Sequence, residues 1–232
     1  PDERIVSHRL HSRPTTSDFR LPMHTPSKIV CVGRNYVAHA REMGNDVPTE
    51  PMFFLKPPSS IIREGDAIVL HPISTHIEFE GEIALVIGKR LTKATEEEAI
   101  AGIAGVVALN DVTARDLQRK DAHFTRAKGF DTFCPVSDAV LPGMPALDAR
   151  VQCAVNGVTR QDAPLSAMVF GFAELVEYLS AHMTLEPGDL VATGTPAGVG
   201  PLVAGDVVEV RLVSAAGEVL ATLSNPVVDL MP

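Results

Sequence analysis

The stretch HIEFEGEIALVIGK, residues 76–89, carries two signals at odds with each other. Its second half holds an unbroken apolar run, Ile83 to Ile87, of the kind shown by a strand buried on both faces. Its first half places Glu78, Glu80 and Glu82 at alternate positions, so on a strand they point one way and Ile77, Phe79, Ile83 and Leu85 the other. A solvated face is the ordinary explanation for such acids. Here the acidic face continues as Ala84 and Val86, so the carboxylates stand at the mouth of a strand that runs into the core. Carboxylates at that depth need a cation or protons.

Outward from this strand, KIVCVG (28–33) reads as a buried strand ending at a glycine, and RNYVAHAREMG (34–44) as a helix stopped by Gly44. MFFLK (52–56) and GVVALN (105–110) read as strands, while Thr95 and Glu98 stand at capping-box spacing and place a short helix over 95–104. Asn156-Gly157 within VQCAVNGVTRQ (151–161) marks a type I′ hairpin. SAMVFGFAELVEYLSAH (166–182) has helical apolar spacing, and GDLVATGTP, GDVVEVRLV and EVLATL follow as strands. Many strands and few short helices, without regular alternation, predict an α+β, predominantly β fold rather than a parallel α/β one. Residues 1–27, with Pro14, Pro22 and Pro26, read as an irregular arm ahead of one domain over 28–232.

At 232 residues, 45% hydrophobic and 21% charged, the chain has the make-up of a soluble globular protein. No apolar run approaches the length of a membrane span, and the first twenty residues show no secretory signal, so the expected location is cytoplasmic. Cys31, Cys134 and Cys153 are far apart and odd in number, which makes them core fillers in a reducing compartment. A net charge of −9 with no basic stripe argues against a nucleic-acid partner and leaves a small ligand held through a cation.

Asp111 follows GVVALN directly, and with a Glu-x-Glu pair from the acidic strand it makes an all-oxygen set suited to Mg2+ or Mn2+. Three carboxylates overcompensate a dication and leave room for waters and substrate oxygens; by spacing alone, a solvated acidic face remains the alternative. His39 and Glu42 share a helical face on which the carboxylate can orient the imidazole, and the same spacing fits a surface ion pair. Lys128 in RAKGFDTFCP either meets carboxylates or an anionic ligand, or snorkels to the surface. ATGTPAGVGP (192–201) lacks the dinucleotide and P-loop glycine patterns, yet its amides and Thr195 can hold a carboxylate.

Taken in order, VGRNYVAHAREMG, EPMFFLKP, EGEIALVIGK, LNDVTARDLQ, AKGFDTFCP, VNGVTRQ and TGTPAGVGP resemble the fumarylacetoacetate hydrolase family, over about residues 28–225. The resemblance implies a mixed β-sandwich-like roll, a homodimer, and Mg2+ or Mn2+ held by Glu80, Glu82 and Asp111, with Glu78 outside the set. It implies a mobile lid carrying His39 and Glu42, which activate water or shuttle a proton, with Lys128 acting beside the metal. Arg34, Arg115, Gln118 and Thr195 fall at substrate-contact positions. The implied substrate is a 2-oxo acid whose enolate the metal stabilises. The first expectation is hydrolytic C–C cleavage of an acylpyruvate or fumarylpyruvate in aromatic-compound catabolism. The second is isomerisation or decarboxylation of a 2-hydroxyhepta-2,4-diene-1,7-dioate-type diacid or of oxaloacetate.

Overall fold

Gly81–Ile87 is the middle strand of a seven-stranded sheet in the computed structural model, which describes residues 21–22 and 26–230. The strand order is Leu21–Pro22, Ala139–Pro142, Ile103–Asn110, Gly81–Ile87, Leu190–Ala192, Ile29–Gly33 and Met52–Lys56. Neighbours are antiparallel except Leu190–Ala192 against Ile29–Gly33. Every residue of Gly81–Ile87 is buried, because both faces meet apolar layers. Ala84 and Val86 pack with Ile29, Cys31 and Leu109, while Ile83, Leu85 and Ile87 face the main core. Each of those three side chains contributes about 2 kcal/mol by leaving water.

The opposing layer is a five-stranded sheet in the order Val158–Pro164, Arg150–Val155, Val207–Val213, Val219–Asp229 and Ile68–Leu70. Val151, Cys153 and Val155 alternate with half-exposed neighbours, and with Val208, Val210 and Leu212 they close the sandwich over Ile83 and Leu85. The predominantly β expectation holds, with helices confined to short pieces. Among the described residues no helix is long and apolar enough to cross a membrane.

Local signals held where their causes are local. Thr95 and Glu98 form the reciprocal capping box of helix Glu96–Gly102, and Asn156 (φ 52°) with Gly157 (φ 77°) makes the primed turn between Arg150–Val155 and Val158–Pro164. The three cysteines are free and buried, and burial pushes the Cys134 thiol up to about 12. Two expectations need correction. Residues 76–89 are two strands, Ile77–Phe79 and Gly81–Ile87, in different sheets. The helix expected over 166–182 is only Phe172–His182, because Asn35 captures the backbone before it: Val169 N donates to Asn35 O, and Phe170 N to Asn35 Oδ1. Met168, Val169 and Phe170 therefore add nothing to a helical face, and Phe170, Phe172 and Leu175 are buried in the core. The arm expected over residues 1–27 falls largely outside the described residues.

Candidate functional site

The change of sheet at Glu80 builds the site. Glu80 N donates to Asn110 Oδ1 at 2.9 Å and Asp111 N donates to Glu80 O at 2.8 Å, so Glu80 and Asp111 are fixed side by side at the ends of neighbouring strands. Glu82 lies two residues on, where Gly194 N donates to its carboxylate at 2.8 Å. One carboxylate oxygen from each of Glu80, Glu82 and Asp111 lies within 4.8 Å of the other two, and all three residues are buried.

Cations surround the trio. Lys128, from the short helix Thr125–Lys128, donates through Nζ to Glu80 Oε2 at 2.7 Å and Asp111 Oδ2 at 2.6 Å. Lys56 Nζ reaches Asp111 Oδ1 at 2.6 Å and Val112 O at 3.2 Å. Arg115 donates to Glu80 Oε1 at 2.6 Å, to Glu78 Oε2 at 2.7 Å and to Gln118 Oε1 at 2.5 Å. Lys128 is thus paired rather than snorkelling, and Glu78 is the brace of Arg115 rather than a fourth member of the trio.

The three acids do not share one electrostatic fate. Burial opposes the charge of Glu80, but Lys128 and Arg115 outweigh it and hold that carboxyl well below the usual carboxylate range. Burial pushes Glu82 well above that range, and the charges of Asp111 and Glu80 push the same way. Burial disfavours the Lys128 ammonium, yet Asp111 and Glu80 more than compensate and raise its pKa. Glu78, Glu80 and Asp111 are matched by three site cations, Lys56, Arg115 and Lys128, so it is ionisation of Glu82, which the cluster resists, that gives the site its surplus negative charge. An all-oxygen donor set with surplus negative charge fits a hard divalent cation.

Every site residue expected from sequence except Glu42 lines one cleft of about 270 Å³. Arg34 lines it from the left-handed backbone region, φ 58°. His39 and Glu42 lie on helix Val37–Glu42, shorter than expected, with Nδ1 of His39 3.2 Å from Glu42 Oε2. Glu42 is anchored in turn by Gly198 N, which donates to Oε1 at 3.0 Å. His39 is buried, so the surface-pair alternative fails for the imidazole. Sequence reasoning passed over Lys56 and Gln161, and it set Glu78 outside the metal set without finding its bond to Arg115. Lys56 ends an apolar strand, a place where a lysine needs a partner; Gln161 carries no such signal, and only the tertiary fold reveals it.

Residues 28–228 match the family model described as fumarylacetoacetate (FAA) hydrolase, C-terminal. The chain is 39% identical to an oxaloacetate tautomerase of Bacillus subtilis over 220 residues, which is 89% of this chain and 71% of that protein. It is 41% identical to a mitochondrial oxaloacetate decarboxylase of Dictyostelium discoideum over 193 residues, 80% of this chain and 88% of that one. A solved structure of a 2-hydroxyhepta-2,4-diene-1,7-dioate isomerase from Mycobacterium marinum superimposes with a TM-score of 0.81 at 40% identity, covering 92% of this chain and 78% of that one.

Proposed function

This chain belongs to the fumarylacetoacetate hydrolase family, and we propose that it acts on a 2-oxo diacid, shifting a proton between carbon and oxygen or releasing CO2. The observation that carries the proposal is the trio of Glu80, Glu82 and Asp111 opening into the cleft that His39 lines. Those three carboxylates would hold Mg2+ or Mn2+. When bound, the cation supplies positive charge beside an enolate as it develops, which both reactions require.

The chain's own residues do the rest. Glu42 engages Nδ1 of His39, which keeps a proton on that nitrogen and leaves Nε2 as the basic one of a ring that lines the cleft. His39 then takes or gives the proton at the carbon next to the keto group. Lys128 and Arg115 supply fixed positive charge for the substrate's first carboxylate and keto oxygen. Arg34, which lines the cleft and forms no ion pair with a carboxylate among the described residues, meets the second carboxylate. The relatives' names, tautomerase, decarboxylase and isomerase, favour the second sequence expectation over C–C hydrolysis. Both remain testable together. Mg2+-loaded protein is to be incubated with oxaloacetate, an acylpyruvate and 2-hydroxyhepta-2,4-diene-1,7-dioate, and the products identified. Proton shift or CO2 release from a diacid is expected. Cleavage of the acylpyruvate alone would restore the hydrolase assignment.

A further inference from the structure

Gln161 is the one fully buried residue of the Val158–Pro164 strand, and no role given above uses it. The orientation of its amide is dictated by two backbone groups. Gly81 N, which can only donate, gives its hydrogen to Gln161 Oε1 at 2.9 Å. Pro196 O, which can only accept, takes one from Nε2 at 2.7 Å. The second Nε2 hydrogen goes to Thr195 Oγ1 at 2.7 Å, and the Thr195 hydroxyl donates its own proton to Gly81 O at 2.9 Å. A hydroxyl has one proton and two lone pairs. The proton and one lone pair of Thr195 are therefore committed inside the protein, and only the second lone pair is left for the cleft that Thr195 lines.

The commitment is hard to reverse. Thr193 N and Oγ1 both donate to Ile83 O, and Thr195 Oγ1 continues that ladder at Gly81 O where the Leu190–Ala192 strand has ended. Turning the Thr195 proton toward a ligand would leave the buried carbonyl of Gly81 without this donor, a loss that protein interiors resist. Gly81 is closely packed at this point, since a Cβ there would stand 2.6 Å from Cys153 Cβ and 3.1 Å from Gln161 Oε1.

We infer that Gln161 is a positioning residue that makes Thr195 a hydrogen-bond acceptor at the cleft wall, so that this point selects a ligand O–H over a bare keto or carboxylate oxygen. Naming the ligand group as the enol or 2-hydroxy form of a diacid rests on the function proposed above; the polarity of Thr195 does not. Neutron diffraction from deuterium-exchanged crystals tests the polarity without turnover. The Thr195 deuteron should lie toward Gly81 O and the Gln161 deuterons toward Thr195 Oγ1 and Pro196 O; a Thr195 deuteron pointing into the cleft overturns the inference. Calorimetry tests the selection, using Mg2+-loaded protein with malate and with its methyl ether, 2-methoxysuccinate. Any preference of the cation for a free hydroxyl is common to all variants, so the change in the malate-to-ether ratio isolates Thr195. That ratio should fall about five- to tenfold in Thr195→Val and be retained in Thr195→Ser, the size expected for one hydrogen bond. An unchanged ratio in Thr195→Val overturns the selection. If the polarity and the ratio behave as expected while no 2-oxo acid is turned over, the proposed function fails and this inference stands.

Discussion

Glu82→Gln is expected to stabilise the protein in EDTA while removing its divalent cation, two effects of opposite sign from one atom change. The Glu82 carboxylate is buried with oxygens of Glu80 and Asp111 within 4.8 Å, and the hydrogen bond from Gly194 N at 2.8 Å is one a glutamine oxygen retains. At that separation two unit charges repel by about 3 kcal/mol for an effective dielectric of about 20, and the Lys128 ammonium offsets part of it. A net gain of about 1–2 kcal/mol remains, or about 2–8 °C in Tm for a chain of this size. Its pH dependence has a definite sign. Burial and the two neighbouring acids raise the Glu82 pKa, so its protonated form is the one the fold tolerates. Its contribution to stability is whole below the unfolded carboxyl's pKa and is lost as pH rises through the raised folded value. The advantage of the glutamine variant should therefore be near zero at pH 4 and grow toward pH 8. Calorimetric melting in EDTA at pH 4, 6 and 8, with Mg2+ titration of both proteins at pH 8, measures both effects. A lower Tm for Glu82→Gln at pH 8, or an unchanged Mg2+ affinity, would refute the reasoning.

His39→Ala should lower kcat on the best diacid found by a factor on the order of 10² to 10⁴, while Mg2+ affinity by calorimetry stays the same. Glu78→Gln weakens the charge-assisted hold on Arg115 and should lower kcat/KM about tenfold, leaving Mg2+ affinity within about threefold, since Glu78 is outside the trio. Asp189 is a case of the other sign. Burial opposes its charge, but bonds from Lys28 Nζ, Glu186 N, Ser27 Oγ and Lys28 N prevail and hold its carboxyl below the usual range. Stability from a lowered carboxyl is present above the unfolded pKa and is lost as pH falls through the folded one. Asp189→Asn should cost about 2 kcal/mol at pH 7, with the gap from wild type closing below about pH 4 in urea unfolding.

What was legible in the sequence was what a few neighbouring residues decide. The turn at Asn156-Gly157 and the cap at Thr95 depend on backbone conformation and on groups three residues apart, so they survive any tertiary context. The carboxylate trio was legible through the family resemblance, the apolar run after Glu82 setting the register of the Glu-x-Glu motif and leaving Glu78 outside it. The break at Glu80 was hidden, since Asn110, thirty residues away, takes the Glu80 N–H out of the ladder. Asn35 shortened the 172–182 helix in the same way, from 135 residues off. Lys56, Glu78 and Gln161 matter through partners 55, 37 and 34 residues away, a distance at which no spacing rule operates.

Oxaloacetate supplied in its enol form and followed by ultraviolet absorbance gives the most direct measurement. Mg2+-loaded wild-type protein should speed the loss of enol absorbance over the Mg2+ control, with EDTA or Glu80→Gln returning the rate to that control. No acceleration by the wild type, or an acceleration that Glu80→Gln leaves intact, would contradict the assignment of Glu80, Glu82 and Asp111 as the centre of the chemistry.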